Sequence, residues 1–168
     1  MTGKNDTLIA EVWAILETVC DPEVPVLSVV DLGIVRSVGV GTTGAVQVNI
    51  TPTYSGCPAM DLIKWNIKAA LLEQHFTDVE ISTVLSPAWT TDWMSSIGKE
   101  KLKAFGIAPP TAVQQVCQPA LFQRQEAVQC PLCDSYDTVL ISQFGSTPCK
   151  ALYRCQVCKE PFDYFKCH

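Results

Sequence analysis

The sequence predicts an α+β protein in two parts: a small mixed sheet packed by helices in the order αββαβα, followed by a β-rich, zinc-ribbon-like module. Three observations predict it. Short runs that alternate apolar and polar residues sit between longer segments with helical spacing. Proline and glycine clusters separate these segments cleanly. Finally, six of the nine cysteines fall in the last 39 residues.

Taken in order, Thr7 to Val19 places Leu8, Val12, Ile15, Leu16 and Val19 on one helical face, with Asn5 or Asp6 as N-cap. Asp21-Pro-Glu-Val-Pro25 ends that helix, because proline cannot continue it. Val26 to Leu32 is a short apolar stretch closed by Asp31-Leu-Gly33. Ile34 to Val40 reads as a strand, Gly41-Thr-Thr-Gly44 as a hairpin turn, and Ala45 to Ile50 as the antiparallel partner. A helix from Ala59 to about His75 is expected to bury Leu62, Ile63, Ile67, Ala70 and Leu71. Val79 to Leu85 alternates again as a strand. A last helix runs to about Phe105, capped by Thr91 or Asp92 and stopped by Gly106-Ile-Ala-Pro-Pro110. These signals divide the chain into a domain over 1–110, a linker over 111–129 and a cysteine-rich module over 130–168.

The formal net charge of −5 arises entirely before residue 130, with eight basic and thirteen acidic residues there and four of each afterwards. Neither part has the basic stripe of a nucleic-acid-binding surface. No apolar run reaches the roughly 18 residues of a membrane span. The first residues lack the pattern of a signal peptide, so a soluble, cytoplasmic protein is expected, with neither nucleic acid nor membrane as partner. In that setting clustered cysteines argue for metal or redox chemistry and not for disulfides.

Thr51-Pro-Thr-Tyr-Ser-Gly-Cys-Pro58 joins a strand to a helix and carries one thiol, Cys57. Pro58 suits the first helical position, which sets Cys57 at or beside the N-cap. There the helix dipole and unpaired N–H groups favour a thiolate. Gly56 leaves room for another molecule. The competing reading of Cys57 is a thiol packed under the start of the helix. Asp21, Glu23 and Asp31 are either metal-handling carboxylates or ordinary turn residues. Trp89 and Trp93 read as core or interface anchors and His75 as structural. With only two histidines in the chain, an acid–base triad is hard to build. The loop also lacks the Gly-Lys-Ser/Thr of a phosphate loop.

In the tail, Cys130-Pro-Leu-Cys133 and Cys155-Gln-Val-Cys158 form two C-x-x-C knuckles separated by 21 residues, the spacing of a four-thiolate metal site. Strand-like runs over Thr138 to Phe144, Lys150 to Arg154 and Pro161 to Phe165 fit a ribbon. A module of 39 residues buries too little apolar surface to fold unaided. Zinc binding by such sites is worth roughly 10–16 kcal/mol. The same thiolates suit a mononuclear iron or a cluster, so zinc and iron both stay open here. Cys149 and Cys167 exceed a four-ligand site. They read as buried ribbon residues or as a second thiol pair that handles metal with His168. Cys20 and Cys117 read as incidental.

Asp21-Pro-Glu-Val-Pro25, Asp31-Leu-Gly33, Thr53-Tyr-Ser-Gly-Cys-Pro58 and Gly106-Ile-Ala-Pro-Pro110 resemble the SufT-type iron–sulfur assembly domain over roughly residues 6–110. Three further strings extend the resemblance along almost the whole chain, to the PaaD family of phenylacetate-degradation proteins. They are Trp89-Thr-Thr-Asp-Trp-Met94, the run from Phe144 to Cys155, and Glu160-Pro-Phe-Asp-Tyr-Phe-Lys-Cys167. The resemblance implies an accessory, non-catalytic protein of the multicomponent phenylacetyl-CoA epoxidase. The implied partners are the epoxidase components, in particular the iron–sulfur flavin reductase. It carries Cys57 over as the reactive cysteine for transient iron or cluster transfer, and Cys130, Cys133, Cys155 and Cys158 as metal ligands. The alternatives are a structural subunit of the epoxidase and an iron-containing electron carrier. A homodimer is carried as a further expectation.

Overall fold

A computed structural model describes residues 2–54, 56–110 and 128–166. Two compact units, 1–98 and 99–168, make up the chain. Apart from 128 and 129, the expected linker over 111–129 lies outside the described residues.

In the first unit, β1 (Val35–Val40) and β2 (Val46–Ile50) form an antiparallel hairpin. Its turn is closed by the Gly41 N–H to the Ala45 carbonyl at 2.8 Å and the Gly44 N–H to the Gly41 carbonyl at 3.0 Å. After α2 (Ala59–Glu73), β3 (Val79–Thr83) returns parallel to β2, so the sheet order is β1-β2-β3. A parallel pair needs a crossover of this length, and α2 supplies it. The alternation read in β2 is real: Val46, Val48 and Ile50 are each at most 1 % exposed. Helix α1 (Thr2–Leu16) packs on β1 and α2, and it buries Val12 and Leu16 completely.

Four local expectations are corrected. Helix α1 starts upstream of Asn5 and Asp6, and the Asn5 side chain instead donates to the Val40 carbonyl at 3.3 Å. On α2, Leu62 is 50 % exposed and Ala70 half-buried; the core face is Met60, Ile63, Ile67 and Leu71. Thr91 to Trp93 is a short 3-10 turn, and α3 (Ser96–Ala104) begins later. Its first turn is capped by Ser95, whose Oγ accepts from the Gly98 N–H at 2.8 Å.

The second unit holds a four-stranded sheet in the order β4-β7-β6-β5, from β4 (Ile107–Ala108), β5 (Thr138–Ser142), β6 (Lys150–Cys155) and β7 (Pro161–Phe165). Strands β5, β6 and β7 are antiparallel neighbours, and β4 pairs parallel to β7 through Ile107 with Asp163 and Ala108 with Tyr164. The sequence places Ile107 and Ala108 at the end of the first domain, as a helix stop. Gly106 (φ 86) does end the chain's third helix, but the next two residues then enter the ribbon sheet. Ala108, Val128, Cys130, Cys155 and Phe162 form the ribbon core, with Tyr153, Cys158 and Tyr164 packed against it. Among the described residues, no helix is long and apolar enough to cross a membrane.

Candidate functional site

Two groups of candidate side chains are found, one in each unit. In the first, the chain leaves β2 at Thr51, whose N–H donates to the Ile34 carbonyl at 2.8 Å. Thr51 is 1 % exposed, and its Oγ1 has no hydrogen-bond partner among the described residues. A turn follows, in which the Cys57 N–H meets the Tyr54 carbonyl at 3.3 Å and Gly56 takes φ 92. A side chain at Gly56 would meet nothing within 4 Å, so the approach to Cys57 over this residue is open. Pro58 takes the N-cap position with helical dihedrals, φ −67 and ψ −22, one place before the position expected. Cys57 therefore precedes the cap, and its carbonyl accepts from Met60 at 3.2 Å.

The half-buried Cys57 sulfur accepts hydrogen bonds from the Ala59 N–H and from the Tyr54 side chain. Its thiol pKa is nevertheless raised above the ordinary value. Burial is the largest cause, the two donors act against it, and the carboxylates of Glu23 and Asp21 push it further up. A helix start by itself favours a thiolate, as the sequence leads one to expect; here desolvation and two nearby carboxylates outweigh it. The sequence singles out Asp21 and Glu23 without placing them at the thiol, and it gives no sign of the Tyr54 contact.

Asp21 and Asp31 also build the loop. Asp21 Oδ1 accepts from the Glu23 and Val24 N–H groups, both at 2.8 Å. Asp31 Oδ2 accepts from the Ser28 N–H at 3.2 Å, and the Asp31 N–H donates to Ser28 Oγ at 2.9 Å. Trp89, 3 % exposed, donates from its indole to the Leu32 carbonyl at 2.9 Å, while Arg36 stacks over the Trp93 ring at 3.4 Å. Both tryptophans thus anchor the segment that follows β3. His75 sits just past the C-cap of α2 with φ 73, a helix-terminating position.

In the second unit, the Sγ atoms of Cys130, Cys133, Cys155 and Cys158 all lie within 4.8 Å of one another. The Cys130–Cys158 and Cys133–Cys155 separations are 3.8 and 3.5 Å. A tetrahedron with Zn–S bonds of about 2.3 Å has edges of about 3.8 Å, so these four residues fit zinc and would hold it. Burial raises the Cys155 thiol, but N–H groups of Cys158 and Val157 and the neighbouring thiols pull it down to about 6. The Cys158 N–H lies 3.5 Å from the Cys155 sulfur. Such N–H···S contacts stabilise a metal-bound thiolate.

Cys149 stays outside this group. It is 6 % exposed and contacts Thr147 Oγ1 at 3.0 Å. Cys167, His168 and Cys117 lie outside the described residues. Cys20 is exposed, with its sulfur 3.8 Å from the Thr18 carbonyl.

Fold and donors together define the class: an assembly-type α+β domain followed by a zinc ribbon. Residues 9–83 match the family model of iron–sulfur cluster assembly proteins, and 114–166 match the PaaD zinc beta ribbon domain. A protein of Escherichia coli K12, named as one of the subunits of 1,2-phenylacetyl-CoA epoxidase, is 49% identical over 159 residues, spanning 95% of this chain and 93% of that one. The Fe-S protein maturation auxiliary factor YitW of Bacillus subtilis is 35% identical over 96 residues, spanning 56% of this chain and 93% of its own. The crystal structure of a domain of unknown function, DUF59, from Bacillus anthracis superposes with a TM-score of 0.58 at 27% identity, covering 61% of this chain and 97% of that one. The chain belongs to the PaaD family, together with that E. coli protein.

Proposed function

We propose that this protein is a maturation factor for a phenylacetyl-CoA epoxidase and that Cys57 transiently holds iron or an iron–sulfur cluster for delivery to a client subunit. The observation that carries the reading is the setting of Cys57: a half-buried sulfur beside the open Gly56, with Tyr54 and Ala59 donating to it and two carboxylates near. Burial keeps the proton on the sulfur, and Glu23 and Asp21 add to this while also attracting a cation. An arriving iron(II) ion displaces that proton to solvent and removes the electrostatic reason for keeping it. The N–H and hydroxyl donors then stabilise the charge left on sulfur. Nothing in this arrangement resembles a catalytic triad or a phosphate loop, which supports an accessory role. The ribbon, folded around zinc, serves as a docking module.

The client favoured is the flavin and iron–sulfur reductase of the epoxidase. The test is the iron and sulfide content of that reductase, co-produced with wild-type chain or with Cys57→Ser. The variant is expected to leave the reductase under-loaded; full occupancy would refute the role of Cys57. A second reading, a structural component of the epoxidase, is favoured by the E. coli relative's name. It requires a stoichiometric complex that persists with the active enzyme through gel filtration.

A further inference from the structure

Helix α2 is apolar on two opposite faces. Its core face is Met60, Ile63, Ile67 and Leu71. At 100° per residue, Leu62, Trp65, Ala69 and Leu72 fall about 180° away, on the solvent side. Leu62 is 50 % exposed, Trp65 73 % and Leu72 45 %. Pro58, exposed and helical in its dihedrals, continues the line. A helix with apolar residues on both faces expects a second neighbour, and the exposed stripe amounts to on the order of 300 Å², the size of the largest apolar patch on an ordinary monomer, which is often functional.

We propose that this stripe is covered by the same stripe of a second copy, with the two α2 helices antiparallel. The spacing is a palindrome. Laying Leu62 against the partner's Leu72 lays Trp65 against the partner's Ala69, and the two-fold axis repeats both contacts. The largest side chain thus meets the smallest. A parallel pairing would instead set Trp65 on the partner's Trp65 and Ala69 on the partner's Ala69, one crowded layer and one hollow one. Two stripes contribute roughly 600 Å², about half of the smallest stable interface, and the flanking Asp61, Asn66, Lys68 and Glu73 supply the rim. The association is accordingly weak and reversible. Near the axis, Lys68 approaches the partner's Lys68, so added salt, which screens this repulsion, tightens the pair.

Sedimentation of the full chain across a concentration series tests this. A reversible dimer is expected, weakened about tenfold or more by Trp65→Ala and strengthened by salt. Ala69→Trp, which sets two tryptophans together, disrupts it, and the exchange Trp65→Ala with Ala69→Trp restores it. Mixing wild type with Lys68→Glu favours the mixed pair. A chain that stays monomeric, or a dimer indifferent to Trp65, overturns the proposal. So does loss of binding to an epoxidase component in a Trp65→Ala chain that never dimerises, since the stripe would then belong to that component. All variants are at solvent-facing positions, and an unchanged circular dichroism spectrum checks their folding.

Discussion

Ser95 and Asp31, 64 positions apart, share a hydrogen bond of 2.9 Å from Ser95 Oγ to Asp31 Oδ1. The same Ser95 oxygen caps α3, and the Asp31 carbonyl accepts from the Ser95 N–H at 2.9 Å. One buried carboxylate therefore ties the Asp31-Leu-Gly33 turn to the start of α3. Replacing it with Ala is expected to cost about 2–3 kcal/mol, since hydrogen bonds to a charged group are lost and their partners left unpaired. Thermal melts of Asp31→Ala and Asp31→Asn measure this, with Asn, which keeps the shape, less damaging.

Gly33 carries φ 66, and a Cβ there would lie 2.0 Å from the Trp93 carbonyl oxygen. Gly33→Ala is expected to cost more than about 3 kcal/mol, from the left-handed backbone and the displaced Trp93 together. Gly44 has φ 87 with open space around it, so Gly44→Ala should cost only about 1 kcal/mol. Denaturant titration of both variants separates backbone strain from collision.

Cys57 should alkylate slowly at neutral pH, with an inflection above that of an exposed thiol, because its pKa is raised. Glu23→Gln removes one of the raising charges and should move the inflection down. The sign for stability follows: the folded state keeps the proton where the unfolded state has lost it, so stability falls as pH rises from the unfolded pKa through the folded one. Iodoacetamide rates read by mass spectrometry on the Cys57 peptide, across pH 7 to about 11, test the first two statements.

Removing zinc, or replacing Cys155 with Ala, should unfold the ribbon and spare the first unit. Two members of the ribbon's own core, Cys130 and Cys155, are metal donors, whereas Val12, Ile50 and Leu71 are buried in the first unit. Hydrogen exchange should show protection lost over β5 to β7 and kept over β1 to β3. About one zinc per chain in the intact protein completes the check.

Much of this is legible in the sequence because it rests on local pattern. The period of Val46, Val48 and Ile50 and the helical spacing of Val12 and Leu16 survive in the fold. The knuckles around Cys130 and Cys155 reveal themselves by spacing alone. Other features are set by distant chain. Strand β4 is two residues long, too short to alternate, and exists only because β7 accepts it. The Ser95 cap competes with Thr91 and Asp92, equally good by residue type, and Asp31 decides among them. The raised pKa of Cys57 comes first from its burial and then from Glu23 and Asp21 arriving from another loop, neither of which the local sequence shows. The outward stripe of α2 is present in the sequence, but a single-face reading assigns Leu62 to the core, because apolar residues on opposite sides of one helix leave no polar side to show which of them faces inward.

The pairing of β4 with β7 makes the ribbon a split module. A single cut of the chain between residues 111 and 127 leaves β4 on one fragment and β5, β6, β7 and the four knuckle cysteines on the other. The smaller piece would hold its zinc yet lack its outermost strand, and the larger piece would carry that strand with no sheet to join. The two fragments are thus complementing halves, which should co-elute after nicking and part only when the metal is withdrawn.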